Sequence, residues 1–300
     1  LPMKAIFETT SMKDLAKVLD LSDSTAFFVP PNLIPTEGCV EITPDMLTLL
    51  DLTVDQIEII ASKVDGGMSN IQDVYPLAPL QQGILFHHQL DTDNDIYAQP
   101  RLICVDNEYE LERLLNSIQA LIDRHDVLRT GVVWQDLPGP VQVVWRSALL
   151  PIKRVEVPST AESAQSFMEE LMMPGCLRLD IQKAPLMDIT LTQDVTSGKW
   201  FVLLVSHHMV SDHVSLEVII EEVDTYLNGR FDELPDPVPF RNFIAYTHKN
   251  ADSTHAEAFF KEQLSSLDEP TLPFGLIENH HNGEDILVHN SELDSALSDS

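Results

Sequence analysis

Apolar residues recur at helical spacing in several places along the chain. Ile57, Ile60, Ala61 and Val64 follow Thr53-Val54-Asp55-Gln56, a start of the capping-box form, and stop at Gly66-Gly67, which predicts a short helix. Leu111, Leu114, Leu115, Ile118 and Ile122 form a second stripe that ends near Arg124-His125. Ala161 to Met172 reads as a third helix, and Leu216, Ile219, Ile220, Val223 and Leu227 as a fourth, closed by Gly229. Strand-like runs interleave with these helices. Val132-Val133-Trp134 and Val141-Gln142-Val143-Val144-Trp145 flank Asp136-Leu137-Pro138-Gly139-Pro140, a hairpin by its turn chemistry. Met187 to Leu191 and Trp200 to Val205 read as strands, and the second, apolar without alternation, is expected to be buried on both faces. The alternation predicts an α/β domain.

The first 70 residues follow a different pattern. Ser11 is placed to cap a short helix with Leu15, Val18 and Leu19 on one edge, an element too short to be stable alone. Residues 24–52 carry Pro30-Pro31, Pro35 and Pro44 and read as a linker. Asn70 to Pro79 reads as loop with an extended bias from Pro76 and Pro79, so a new domain is expected to begin at about 70. Neither end has the look of a natural terminus, since the chain opens Leu1-Pro2-Met3 and carries no Lys or Arg after Lys261.

Composition narrows the function classes. Over 300 residues, 44% hydrophobic and 22% charged content fits a folded chain with a sizeable core. The 18 Lys and Arg against 48 Asp and Glu leave a formal charge of −30, which repels phosphate backbones and anionic lipid surfaces alike, so neither nucleic acid nor membrane is an expected partner. No apolar run approaches the roughly 20 residues of a bilayer span. Cysteines at 39, 104 and 176 make neither a disulfide framework nor a metal knuckle, and a reducing cytoplasm is the expected location.

Directly after the second buried strand comes Ser206-His207-His208-Met209-Val210-Ser211-Asp212-His213. Side chains at the carboxyl end of a core strand, where a loop enters a helix, project into a crevice between rigid elements. An imidazole there can take a proton near neutral pH. Two alternatives stand beside acid–base chemistry: the histidines are satisfied by backbone and structural, or His208, Asp212 and His213 ligate a metal. The spacing is not that of a zincin helix, and no metal is expected.

These residues resemble the HHxxxDG motif of the condensation domains of nonribosomal peptide synthetases. Other stretches resemble the same family in order. Tyr75-Pro76-Leu77-Ala78-Pro79-Leu80-Gln81-Gln82-Gly83-Ile84-Leu85-Phe86-His87-His88 is similar to its first core motif, Arg124-His125-Asp126-Val127-Leu128-Arg129-Thr130 to RHExLRT, and Pro239-Phe240-Arg241-Asn242-Phe243 to the fourth. The opening Leu1 to Thr10 is similar to the last helices of a peptidyl carrier domain. His87-His88-Gln89-Leu90-Asp91-Thr92-Asp93-Asn94-Asp95 fits the frame of the HH[I/L]xxxxGD motif of dual epimerization/condensation domains, departing at Gln89 and Asn94. With Asp212-His213 and the stretch Leu267 to Leu276, this favours the dual type over plain condensation. Heterocyclization domains, which lack the paired histidines, are excluded.

The resemblance implies a chloramphenicol acetyltransferase-like lobe, a mixed sheet packed with helices, preceded by short helices and a linker. It divides the chain into 1–22, the end of a peptidyl carrier domain; 23–69, a linker with a short helix; and 70–300, the amino-terminal part of a truncated condensation domain. It implies peptide-bond formation between carrier-bound thioesters, with His208 as base, His207 as its structural partner and Asp212 as an organiser that pairs with a cation. His87 and His88 are associated with epimerization, and Arg124, Arg129 and His213 are supporting. No cofactor binds directly; substrates ride on the 4'-phosphopantetheine of carrier domains, whose attachment serine lies outside this sequence. Expected partners are the donor and acceptor carriers, an adjacent adenylation domain and the carboxyl-terminal lobe, whose docking face should be exposed and apolar. A free-standing acyltransferase using coenzyme A and an inactive interaction fragment are the alternatives.

Overall fold

The computed structural model describes residues 28–37, 39, 41–91, 95–173, 175–250, 253–267 and 272. The Ser11 helix and the carrier-like opening lie outside them, as does most of Leu267 to Leu276. In chain order the described residues form α1 (Val54–Lys63), β1 (Ile71–Pro76), α2 (Pro79–Leu90), β2 (Ala98–Val105), α3 (Glu108–Arg124), β3 (Thr130–Val133) and β4 (Val141–Trp145). There follow β5 (Ile152–Arg154), α4 (Ala164–Glu170), β6 (Met187–Gln193), β7 (Trp200–His207), α5 (His213–Leu227), α6 (Phe240–Asn250) and α7 (Ser253–Gln263). Among them no helix is long and apolar enough to cross a membrane.

Two sheets organise these elements. One is antiparallel with order β1-β4-β3; the other has order β2-β7-β6-β5 and is mixed, because β5 runs parallel to β6. The expected hairpin is β3–β4, with Val133 opposite Val141. β7 lies inside its sheet and seven of its eight residues are buried, as its unbroken apolar run predicts.

Two expectations are corrected. The stretch Asn70 to Pro79, read as loop, contains β1, whose prolines are tolerated because Pro76 ends the strand and Pro79 opens α2 in its first turn. The helix expected over Ala161 to Met172 is only α4, because Ser163 caps it, its hydroxyl accepting from the Ser166 N–H at 3.0 Å. The described part of the segment 24–52 packs on the rest: Ile34, Ile42, Leu47 and Leu52 join Ile57 and Ile60 of α1 in one core cluster with Ile71, Leu111, Ile118, Val143, Ile189 and Val202.

Arg241, at the start of α6, fastens that segment in place. Its Nη1 donates to both carboxylate oxygens of Asp73 in β1 at 2.7 and 2.9 Å, its Nε to the Pro30 carbonyl at 2.9 Å, and its Nη2 to the Pro31 carbonyl at 3.2 Å and to the Thr48 hydroxyl. Both members of the ion pair are buried. Burial raises the Asp73 pKa above the ordinary carboxylate value even though Arg241 pulls it down.

Candidate functional site

The site is built where β7 ends. β2 pairs antiparallel with β7 so that Ala98 faces His207, which brings the residues just before β2 alongside the histidines. His207 is fully buried; its backbone N–H donates to the Leu186 carbonyl at 2.9 Å. His208 is half-buried, its backbone N–H donating to the Tyr97 carbonyl at 2.9 Å. The chain then turns, and Asp212 caps α5: its Oδ1 accepts from the Ser215 N–H at 2.8 Å and the Ser215 hydroxyl at 2.7 Å.

The hydrogen bonds fix the tautomers. His208 Nδ1 faces the Ser211 carbonyl, an acceptor, so it carries the proton. Its Nε2 therefore holds a lone pair, and no described residue engages it. His207 is the reverse: its Nδ1 accepts from the Met209 N–H at 3.0 Å, so Nε2 carries the proton and donates to Asp95 Oδ2 at 3.2 Å. The Met209 carbonyl accepts from the Gln81 side chain at 2.9 Å. Gln81 in turn pairs with Gln142 of β4 at 2.9 Å, tying the turn to the other sheet.

His87 and His88 separate by helix geometry. One residue is about 100° on a helix, and His88 lies one turn after the buried Ile84, so it points inward while His87 is exposed and rests near the Phe86 and Tyr97 rings. His88 Nδ1 donates to Asp95 Oδ2 at 2.8 Å; its Nε2 accepts from Arg178 Nη2 at 3.3 Å. Asp95 Oδ1 accepts from the Tyr97 N–H at 3.2 Å. Burial works against the Asp95 charge, yet the hydrogen bonds from His207 and His88 outweigh it and hold the carboxyl well below the usual carboxylate range.

His88, Asp95 and His207 have the spacing of a three-ligand metal site. The tautomers argue against that use: each imidazole turns its other nitrogen to an N–H donor and so keeps its proton on the nitrogen aimed at Asp95. Neither leaves a lone pair for an ion there. The set His208, Asp212 and His213 does not converge either, since His213 is exposed and pairs with Glu217 at 3.2 Å.

The remaining sequence candidates lie elsewhere. Arg124 donates from Nε to Glu222 of α5 at 3.2 Å and from its guanidinium to the Pro235 carbonyl. Buried Arg129 donates to Gln72 of β1 at 2.5 Å and to the Trp145 carbonyl of β4. Asp212 pairs with no Lys or Arg among the described residues; Ser215 is the main cause holding its carboxyl below the usual range. Sequence reading missed Asp95, Arg178 and Gln81 as site residues. The signal for Asp95 was present, because it closes the 87–95 frame; Arg178 sits outside every motif. Beside the turn lies an apolar cavity of about 310 Å³, lined by Val127, Leu128, Val210, Val214, Val218 and Ile219 among others.

A buried strand that ends in a half-buried imidazole with a free Nε2 defines a candidate acid–base site, and comparison with known proteins says which family carries it here. The condensation-domain profile matches residues 71–283, and the chain belongs to that family. It is 38% identical over 297 residues to malpibaldin synthetase and 37% identical over 297 residues to malpinin synthetase, both of Mortierella alpina. These alignments take in 99% of this chain but only 5% and 4% of the two synthetases, so the chain spans a small part of the relatives it matches. Among solved structures, the starter condensation domain of rhizomide synthetase superposes with a TM-score of 0.51 at 16% identity, over 66% of this chain and 50% of that one. The condensation domain of a monacolin K polyketide synthase gives 0.50 at 17% identity, over 69% and 45%. These likenesses confirm the fold of a condensation-domain lobe.

Proposed function

We propose that this chain supplies the acid–base face of a condensation domain in nonribosomal peptide synthesis. An acceptor amine on one carrier attacks the thioester carbonyl of the donor on another; the carbon–nitrogen bond forms, the carbon–sulfur bond breaks, and the donor carrier's thiol leaves. His208 Nε2 takes the proton the amine sheds and returns it to the departing sulfur, a contribution of roughly 10²- to 10⁴-fold. The observation that carries this reading is the Nδ1 hydrogen bond of His208 to the Ser211 carbonyl, which presents the Nε2 lone pair. His207 orients the turn, and Asp212 organises it by capping α5.

The partners under this reading are donor and acceptor carriers with their 4'-phosphopantetheine arms, a neighbouring adenylation domain and the rest of the condensation domain, for which Val214 and Val218, exposed one turn apart on α5, offer an apolar contact. Residues 1–22 are read as the end of a carrier domain. The three cysteines are unpaired, Cys39 buried and Cys104 and Cys176 exposed, which suits a reducing cytoplasm. Membership of synthetases many times longer speaks against a free-standing coenzyme A acyltransferase.

The contact of His88 and Asp95 with His207 supports the dual reading, because it joins the 87–95 frame to the catalytic turn. There, His208 also exchanges the donor's Cα proton, which the thioester acidifies. The test uses the synthetase module containing this chain, with both carriers loaded. His208→Ala is expected to lower coupling at least about 10²-fold, and an unchanged yield removes the catalytic reading. With a Cα-deuterated donor and no acceptor, the parent is expected to lose deuterium; full retention leaves condensation alone.

A further inference from the structure

We propose that Asp95, backed by His88 and Arg178, is the positioning group for His208, a role that rests on reading His208 as the base. Asp95 never touches the reacting atoms. It holds the His208 backbone from both sides, and each side is a chain of hydrogen bonds.

On one side, Asp95 Oδ2 accepts from His207 Nε2 at 3.2 Å, which leaves His207 Nδ1 to accept the Met209 N–H at 3.0 Å and fixes the residue after His208. On the other, Asp95 Oδ1 accepts from the Tyr97 N–H at 3.2 Å, and the Tyr97 carbonyl accepts the His208 N–H at 2.9 Å. The two routes converge on the peptide units flanking His208, so displacing the carboxylate shifts the imidazole. Asp95 is itself fixed. His88 Nδ1 donates to it at 2.8 Å, and Arg178 fixes His88 in that tautomer while donating to the His88 carbonyl at 2.9 Å and the Asp91 carbonyl at 2.7 Å. The Asp95 side chain is wholly shielded from water, so the chain runs through a dry region where partners cannot be exchanged for solvent.

The substitution that isolates this role is Asp95→Asn, which keeps the shape but has one accepting oxygen where the carboxylate has two, so it cannot serve both imidazoles and the Tyr97 N–H at once. In the loaded module it is expected to lower kcat about 10²-fold, the scale of a misplacement near 1 Å, while KM for the acceptor stays within about twofold. In the His208→Ala background the same substitution is expected to cost nothing further, because a group acting through His208 has nothing left to act on. An Asp95→Asn module as fast as the parent, beside an inactive His208→Ala module, overturns the proposal and spares the base. An additional loss in the His208→Ala background also overturns it, because Asp95 then supports the fold at large. A fully active His208→Ala module removes the base and the positioning role together.

A second pair covers the case of an Asp95→Asn chain that does not fold. His88→Asn keeps an N–H where His88 Nδ1 donates and is expected to recover most of the kcat that His88→Leu loses. Equal losses in the two overturn the proposal.

Discussion

At the residue scale, the lesson of the site is that one carboxylate serves three donors. Asp95 is held charged by His207 and His88, and its folded-state pKa lies below that of the unfolded chain. Its stabilising contribution is therefore present above the unfolded value of about 3.9 and is lost as pH falls from there toward the folded value. Thermal unfolding at pH 7 and pH 3 checks the sign: Asp95→Asn should lower the midpoint at pH 7, and the gap to the parent should narrow at pH 3. The identity of the candidate base was legible in the sequence, because two histidines followed a continuous apolar run. Its supporting groups were not. Asp95 lies 7 positions from His88 and 112 from His207, and only the β2–β7 register and the inward face of α2 bring them together.

At the element scale, caps and close approaches set the frame of the site. Asp212→Ala removes the α5 cap and should cost about 0.5–2 kcal/mol of stability, read from denaturant midpoints. Gly131 of β3 faces the Gln182 carbonyl so closely that an added Cβ would sit 2.8 Å from that oxygen. The neighbouring Val132 N–H donates to the Ile181 carbonyl at 2.8 Å, so the approach cannot relax without losing a backbone bond. Gly131→Ala should destabilise by about 1–3 kcal/mol in equilibrium unfolding. Amphipathic α1 and α3 were readable because one face of each is apolar and the other polar. β2 was not, since Pro100 interrupts it; the strand tolerates that residue because it lies at the sheet edge. β1 escaped for a related reason, its pattern broken by Gln72 and Asp73, the second of which is buried only because Arg241 reaches it.

At the scale of the whole molecule, a single guanidinium joins the amino-terminal segment, β1 and α6. Arg241→Ala leaves Asp73 as an uncompensated buried carboxylate and should cost about 3–5 kcal/mol, measurable as a large fall in the unfolding midpoint. Asp73→Asn in the same background should restore part of it, because a neutral side chain removes the buried charge. The pair also has a consequence for anyone exchanging parts between synthetases. A recombination joint placed at residue 70, just ahead of the first core motif, would replace Ile34, Ile42, Leu47, Leu52, Ile57 and Ile60, each worth about 1.5–3 kcal/mol of burial. It would also give Arg241 a foreign partner in place of Pro30, Pro31 and Thr48. A joint upstream of Pro30 carries the whole clasp across intact, so the exchangeable unit here begins well before its first core motif at Tyr75.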